Sequence, residues 1–244
     1  MHLKFPYEDS AGARTRRERA VEVRFLVPSG LAAEIRSWAR HELVPDPYGT
    51  GPDRDTYRIT TLYLDTPRFD VHRRRGSFGR AKYRVRRYGA ADVVYVERKL
   101  RTAAMLAKRR SAIPLPSLAP VLQAISATAP AAAWFARRVH ARRLAPACVI
   151  AYDRMARQLG ASGGAGARLT IDENIRASAA AGEAFRAAPD LRLLDGRAIV
   201  EMKFQEVPPP AFKLLVERFG LSPDRFSKYR HAIARLGLAD EMPC

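Results

Sequence analysis

The chain has 244 residues and a hydrophobic fraction of 47%, which is enough for one domain with a buried core. Its 43 Lys and Arg against 25 Asp and Glu give a formal net charge of +18, which points either to an anionic partner or to a solvated basic surface. The two cysteines, Cys148 and Cys244, have neither zinc-ligand nor disulfide-framework spacing. No segment approaches the roughly 18 apolar residues of a membrane span, and the N-terminus lacks an apolar signal-peptide core, so we expect a cytoplasmic protein without a membrane span.

In chain order, residues 1–14 show no periodicity and are predicted to be a loose tail, followed by a single domain over residues 15–240. A capped amphipathic helix is predicted over residues 31–40, after a Ser-Gly pair. The turn-rich residues 47–56 then predict a loop.

Short strands alternate with helices in the rest of the chain. The predicted strands lie at residues 21–25, 57–66, 80–88, 91–100, 146–158, 166–176 and 197–206. The Ala-rich residues 117–143 predict helix with a break near Pro130, and the Gly-rich residues 160–166 predict a hairpin connection. Two final helices are predicted over residues 210–219 and 223–236.

Charged side chains share one face along five of these strands, and apolar side chains occupy the other face. The charged faces carry Glu22 with Arg24, Lys82 with Arg84 and Arg86, Glu97 with Lys99, Arg168 with Thr170 and Asp172, and Glu201 with Lys203. A plain antiparallel sheet with one solvated face is an alternative explanation. Because the chain offers amphipathic helices to cover the apolar faces, we expect the charged faces to point inward and the sheet to close into a barrel with a polar lumen.

Basic residues outnumber acidic ones on the faces that we expect to point inward. The basic residues are Arg24, Lys82, Arg84, Arg86, Lys99, Arg154, Arg168 and Lys203, and the acidic residues are Glu22, Glu97, Asp172 and Glu201. Uncompensated buried charge is costly, so this surplus predicts a bound polyanion. The carboxylates suit a hard cation such as Mg²⁺ or Mn²⁺ that bridges phosphate oxygens.

Other chemistries find little support in the sequence. The five histidines show no shared spacing, and no Gly-x-x-x-x-Gly-Lys-Ser/Thr loop is present, which excludes a P-loop kinase. Four tyrosines, Tyr63, Tyr83, Tyr152 and Tyr229, would suit base stacking in a nucleic-acid-binding protein, but packing explains them better.

Seven segments, in one order along the chain, resemble those of a known family. They are Glu22-Val-Arg24, Thr61-Leu-Tyr-Leu-Asp-Thr66, Lys82-Tyr-Arg-Val-Arg-Arg-Tyr-Gly89, Val96-Glu-Arg-Lys99, Arg168-Leu-Thr-Ile-Asp172, Val200-Glu-Met-Lys203 and Arg225-Phe-Ser-Lys-Tyr229. The family is the vacuolar transporter chaperone (VTC) domain, a branch of the triphosphate tunnel metalloenzymes, which include the CYTH proteins. The resemblance covers residues 16–236 and implies an α+β fold: an eight-stranded antiparallel β-barrel tunnel with a charged, polar lumen, flanked by helices.

The resemblance also implies a function: a metal-dependent polyphosphate polymerase that transfers the γ-phosphoryl group of ATP to a growing polyphosphate chain. The implied cofactor is Mn²⁺ or Mg²⁺, the implied partners are ATP and inorganic polyphosphate, and no specific nucleic acid is expected. Two alternatives stay open, an inorganic triphosphatase of the same fold and a non-catalytic domain that binds polyphosphate or nucleotide. Ala20 stands at the first Glu position of the CYTH metal motif, which argues against the triphosphatase.

Site residues follow from the matching motif positions. The resemblance implies catalytic roles for Arg84, Arg86, Lys99, Arg168 and Lys203, substrate binding by Arg24, Lys82, Lys108, Arg154, Arg225, Ser227 and Lys228, and metal binding by Glu201. Arg24 and Arg225 stand where the family commonly has Lys, and the local spacing around Lys108 differs. Arg73–Arg75 and Lys108–Arg110 are two basic clusters that predict either solvated surface or a landing surface for polyphosphate.

Overall fold

The computed structural model describes most of the chain. The described residues are 14–18, 20–101, 106–123, 129–160, 166–182, 185 and 189–239. The predicted tail over residues 1–14, except residue 14, and most of the predicted connection at 160–166 lie outside them.

Eleven strands are described, and their alternation of apolar and polar residues is the pattern that the sequence predicted for most of them. They are β1 (Arg14–Glu18), β2 (Ala20–Pro28), β3 (Val44–Pro45), β4 (Thr56–Asp65), β5 (Ala81–Tyr88), β6 (Val93–Arg101), β7 (Leu106–Pro114), β8 (Ala145–Gln158), β9 (Arg168–Ala179), β10 (Leu191–Arg192) and β11 (Arg197–Gln205). Eight of these strands have eight residues or more, whereas β1, β3 and β10 are short.

Six α-helices are present in the described ranges. They are α1 (Ser29–Glu42), α2 (Asp70–Arg73), α3 (Leu118–Leu122), α4 (Ala133–Ala141), α5 (Pro210–Arg218) and α6 (Lys228–Arg235). None of the helices in the described ranges is long and apolar enough to cross a membrane.

All strands pair antiparallel in one sheet of order β1-β7-β6-β5-β4-β8-β9-β11-β2, with β10 on β9 and β3 on β8. The two ends of this path, β1 and β2, are separated in sequence by one residue. The covalent chain therefore brings both ends of the path within about 7 Å of each other. The predicted antiparallel α+β architecture with flanking helices is confirmed. The described hydrogen bonds do not form a continuous ring, so full closure of the barrel stays a prediction.

Helices cover the apolar outer face of the sheet, as the sequence predicted. On one side, α1 and α5 pack against β2, β9 and β11 through residues such as Ile35 and Phe212. On another side, α4 packs Trp134 and Phe135 against β4, β5, β6 and β7. Fully burying side chains of this size stabilises the fold by roughly 1.5–3 kcal/mol each. With the outer face covered in this way, the charged faces are left to line the interior.

Two parts of the chain differ from the prediction. The last helix begins at Lys228, five residues later than expected, because residues 221–227 form no helix and the backbone N–H of Asp224 instead donates to Arg24 O on β2 at 2.7 Å. Strand β7 was not predicted at all. Its residues carry charge on both faces, since Lys108 points inward while Arg109 lies over the Trp134 ring at 4.5 Å, and the alternation is therefore hidden.

A buried carboxylate joins the end of β4 to two helices. Asp65 is 1% exposed and accepts hydrogen bonds from the backbone N–H groups of Thr66 at 2.7 Å, Val71 at 2.8 Å and His72 at 2.9 Å, which belong to the start of α2 and the residues before it. It also accepts a hydrogen bond from the hydroxyl group of Tyr229 in α6. One side chain therefore fixes α2 and α6 relative to the sheet.

We expect Tyr229→Phe to lower the free energy of unfolding by about 1–3 kcal/mol, because it removes one donor from the buried Asp65 carboxyl group and changes the side-chain volume little. Urea denaturation measures this change. Tyr83→Phe is the matched control, since Tyr83 is similarly buried and its hydroxyl group forms no hydrogen bond among the described residues. Equal stability of the two variants would show that Asp65 does not depend on Tyr229.

Candidate active site

Side chains from all eight long strands line one cavity of about 290 Å³ inside the curved sheet. The lining residues are Glu22, Arg24, Tyr48, Tyr57, Tyr63, Lys82, Arg84, Arg86, Tyr88, Lys99, Lys108, Arg110, Tyr152, Arg154, Arg168, Ile199, Glu201, Lys203, Phe226, Ser227 and Lys228. Eleven of them are Lys or Arg and two are Glu. A sheet whose every long strand faces a single cavity is strongly curved, and this curvature brings residues far apart in sequence together.

Three lysines lie side by side across β5, β6 and β7. Lys82 is directly opposite Lys99, and Lys99 is directly opposite Lys108. Like charges in directly opposed positions destabilise a sheet. Burial, reinforced by neighbouring cations, lowers the pKa of Lys82 to about 7, and burial likewise lowers the pKa of Lys108 to about 7. This lysine row is therefore poised to gain protons when an anion enters.

The next row of the same strands contains a buried carboxylate between two arginines. Glu97 lies directly opposite Arg84 on β5 and Arg110 on β7. Its carboxylate accepts from Arg84 Nε at 2.7 Å, also bonds Arg110, and lies 3.2 Å from Lys108 Nζ. Burial alone would raise the pKa of Glu97, but Arg110, Lys108 and Arg84 outweigh it and hold the pKa well below its ordinary value. Glu97 thus stays ionised and orients the cations around it.

A second buried carboxylate anchors the opposite wall. Asp172 on β9 accepts from Arg154 Nε at 2.6 Å and Nη2 at 2.7 Å, and from Lys228 Nζ at 2.5 Å. Against the effect of burial, these two cations hold the pKa of Asp172 well below its ordinary value. Because Lys228 begins α6, this contact ties the helix to the cavity. On the other side, Ser227 Oγ accepts from Lys82 Nζ at 2.9 Å.

The two carboxylates that face the cavity share one arginine. Arg24 Nε donates to Glu201 Oε2 at 2.5 Å, and Arg24 Nη2 donates to Glu22 Oε2 at 2.9 Å. Glu22 also accepts from Lys99 Nζ at 2.6 Å. Burial would raise the pKa of Glu201, yet Arg24 and other cations lower it to about 2. Both carboxylates are therefore available as anionic oxygen ligands at neutral pH.

These two carboxylates fit a particular kind of metal site. Within the described residues, no group of three or more His, Cys, Asp or Glu side chains is placed to hold a metal ion by itself. Mg²⁺ is usually held by one or two carboxylates together with substrate phosphates and water. Glu22 and Glu201 meet that requirement, so the residues present fit a cation that arrives with a phosphate ligand.

Twelve of the thirteen predicted site residues line this cavity, whereas Arg225 is exposed and does not. Arg84, Arg86 and Arg168 converge in it, as the sequence predicted, although Arg168 is more than 80 residues downstream. Arg168 Nη2 donates to Tyr57 Oη at 2.6 Å, and Arg86 Nε is buried with no hydrogen-bond partner in the described part of the chain. The functional roles of all thirteen stay predictions.

Sequence reasoning missed Arg110 and the aromatic part of the lining. Lys108–Arg110 was interpreted as a surface cluster, but Arg110 is buried and its Nη2 donates to Tyr88 Oη at 2.7 Å. Strand alternation over residues 106–114 would have separated Lys108 and Arg110 from Arg109. Tyr63 and Tyr152 pack in the core, as predicted, and also reach the cavity.

This chain is similar to known proteins in both sequence and fold. The family model of the VTC domain matches residues 19–237. A candidate adenylate cyclase from Bacillus halodurans superposes with a TM-score of 0.55 at 14% identity, covering 90% of this chain and 97% of that chain. A candidate adenylyl cyclase from Hippeastrum, described as having a dominant triphosphatase activity, gives a TM-score of 0.49 at 13% identity and covers 89% and 96%. At such identity, the first likeness shows a shared fold alone. No curated protein sequence matches the chain.

The different surroundings of two cavity arginines predict different effects of their replacement on the free energy of unfolding. Arg154→Met should lower the free energy of unfolding by about 3–5 kcal/mol, because it removes the bidentate partner of the buried Asp172. Arg86→Met should leave stability unchanged or raise it, because it removes a buried cation whose Nε has no partner among the described residues. Thermal melts of both variants without ligand measure this. If Arg86→Met lost as much stability as Arg154→Met, the view that Arg86 is an uncompensated cation would be contradicted.

Proposed function

We propose that this chain, which belongs to the VTC domain family, is a metal-dependent phosphotransferase that binds the triphosphate of ATP in its cavity and transfers the γ-phosphoryl group to inorganic polyphosphate. The observation that carries the proposal is the excess of eleven Lys and Arg over two Glu among the described residues that line the cavity. Even after Glu97 and Asp172 are included, cations outnumber carboxylates by seven. A polyphosphate chain carries the negative charge needed to neutralise such a lining.

Phosphoryl transfer depends mainly on positioning and on positive charge near the phosphate oxygens. Glu97 and Asp172 hold Arg84 and Arg154 in fixed orientations, and the planar guanidinium groups suit bidentate contacts with phosphate oxygens. The Nε–H group of Arg86, which has no partner among the described residues, can donate a further hydrogen bond to a phosphate oxygen. The chain therefore offers donors that are preorganised before the substrate arrives, and this preorganisation is the main contribution a protein makes to such a reaction.

Glu22 and Glu201 would hold a divalent cation, Mn²⁺ or Mg²⁺, together with substrate phosphates. When bound, the cation neutralises charge that develops on the phosphate oxygens. Arg24 contacts both carboxylates and so sets the distance between them. The lysine row (Lys82, Lys99 and Lys108) lies on the neighbouring wall and balances further phosphate charge.

The rival functions use the same residues and differ in their products. A triphosphatase would release free phosphate from ATP or tripolyphosphate without lengthening any chain, and a non-catalytic binding domain would yield neither product. The small number of carboxylates in the lining favours transfer over hydrolysis only indirectly. The decisive experiment is incubation of the purified protein with ATP and Mn²⁺, with polyphosphate chain length and free phosphate measured in the same sample.

We expect the polyphosphate chain to lengthen in that assay. Glu201→Gln keeps the shape of the side chain and removes its charge, so the rate of polyphosphate synthesis should fall at least roughly 100-fold, as when an enzyme loses one electrostatic stabiliser of its transition state. The matched control is Glu34→Gln on the exposed side of α1, which should keep the wild-type rate. Tripolyphosphate binding by Glu201→Gln checks that the cavity is intact. Wild-type turnover in this variant would remove Glu201 from the site.

Anion binding should take up protons near neutral pH. At pH 8, Lys82 and Lys108 with a pKa of about 7 are mostly neutral in the free protein. A bound polyanion favours their charged forms and raises both pKa values, so the affinity for tripolyphosphate should fall as pH rises from 7 to 9. Burial alone would raise the pKa of Tyr88, but Arg110 and Arg86 lower it to about 7. Tyr88 therefore adds to the proton uptake.

Calorimetric titration of tripolyphosphate at pH 8, in buffers of different ionisation enthalpy, measures this proton uptake. Lys82→Met should reduce it, and Lys213→Met, an exposed residue of α5, should not. Binding enthalpies that do not depend on the buffer would contradict the lowered pKa values of the lysine row.

A further inference from the structure

The positive charge of this protein is concentrated in one third of the chain. Residues 71–152 contain 18 Lys and Arg and 2 Asp and Glu, so this segment carries 16 of the 18 net positive charges. Only some of these cations line the cavity of the candidate active site. Several of the others, including Arg98 on β6 and Arg109 on β7, lie on the outer side of the sheet.

A second concave site lies on that outer side. It has a volume of about 480 Å³ and is bordered by Arg80, Arg98, Arg138 and Arg142. Arg98 follows Glu97 and precedes Lys99 on β6, so strand alternation turns it away from the active-site cavity. We call these four residues the outer arginine pocket. No Asp or Glu borders it among the described residues.

The arginines of this pocket are not neutralised by the protein. Within the described ranges, none of the four forms an ion pair with a carboxylate. Arg109 on β7 lies directly opposite Arg98, an arrangement that destabilises a sheet. Burial lowers the pKa of Arg109, and Arg98 and Arg138 lower it further. In addition, Arg109 Nε is buried without a hydrogen-bond partner among the described residues. The protein therefore keeps several cations close together at a cost that a bound anion would offset.

We propose that the outer arginine pocket is a second anion-binding site, which takes a condensed phosphate such as tripolyphosphate. Guanidinium groups that converge on a concavity match closely spaced phosphate oxygens, with bidentate geometry available to each. A nucleic acid would in addition use stacking surfaces. The aromatic rings here are not available for stacking, since Tyr83 is 2% exposed and Arg142 lies over the Phe78 ring at 4.7 Å.

The proposal does not depend on the proposed phosphotransfer. None of the four arginines lines the active-site cavity, and β6 separates the two sites. The condensed phosphate that binds this pocket can come from a short molecule in solution or from the end of a longer chain. Both sources present the same phosphate chemistry. The test therefore uses tripolyphosphate alone as its probe.

The experiment is calorimetric titration of tripolyphosphate into the wild type and three variants at pH 7. Arg98→Gln/Arg138→Gln alters the pocket, and Arg197→Gln/Arg230→Gln removes the same charge from exposed positions elsewhere. Arg86→Met alters the active-site cavity. We expect two classes of site in the wild type and in the charge-matched control, and loss of one class in Arg98→Gln/Arg138→Gln. The affinity of the outer site for tripolyphosphate should fall at least about tenfold in that variant, equivalent to roughly 1.4 kcal/mol. Arg86→Met should lower the affinity of the other class of site only.

Isotherms of Arg98→Gln/Arg138→Gln that match the charge-matched control would overturn the proposal. Equally effective competition for the outer class by duplex DNA, at the same phosphate concentration, would overturn it in favour of a general basic surface. If that variant does not fold, Arg80→Gln/Arg142→Gln provides the same readout. A protein without polymerase activity that still shows the outer class would contradict the proposed function and support the pocket.

Discussion

Two fully buried carboxylates hold the many Lys and Arg side chains of the cavity in position, and the rest of the structure depends on these two groups. Glu97 bonds arginines on both neighbouring strands, and Asp172 bonds Arg154 and Lys228. An isolated charge in such surroundings would lose its ionisation. Here each anion is enclosed by cations and stays charged. Local neutrality around these two residues allows the cavity as a whole to remain strongly positive.

The antiparallel sheet turns this balance into an ordered array. Directly opposed side chains lie about 4.5–5.5 Å apart across strands, and residues two apart on a strand lie about 7 Å apart along it. The lysine row and the row that contains Glu97 follow one another on β5, β6 and β7 with this spacing. An extended anion that lies along these strands therefore meets cations at each step. Helices on the outer face remove the apolar side chains from water and leave the charged faces to the interior.

Much of this arrangement was predictable because period-two alternation is a strong signal when one face is charged and the other apolar. That signal located six of the long strands after β2 within about three residues at most ends and placed Arg84, Arg86 and Arg168 on a common interior. It failed at β7, where Arg109 faces outward onto Trp134 and both faces look polar. It also failed for the start of α6, which depends on a tertiary backbone contact to β2 that no local pattern encodes. Tyrosines that both pack and line the cavity cannot be separated from purely structural ones by sequence spacing.

The first two residues of α6 have a mechanical consequence. Lys228 bonds Asp172 in the cavity, while Tyr229 bonds Asp65 in the core beside α2. Consecutive helical residues point about 100° apart, so the two bonds restrain the helix from different directions. Such a helix can neither rotate about its axis nor slide along it unless both bonds break together. Movement of this end of α6 away from the cavity would therefore separate Lys228 from Asp172 and Tyr229 from Asp65, so a change in the cavity wall at Ser227 also costs a contact in the core.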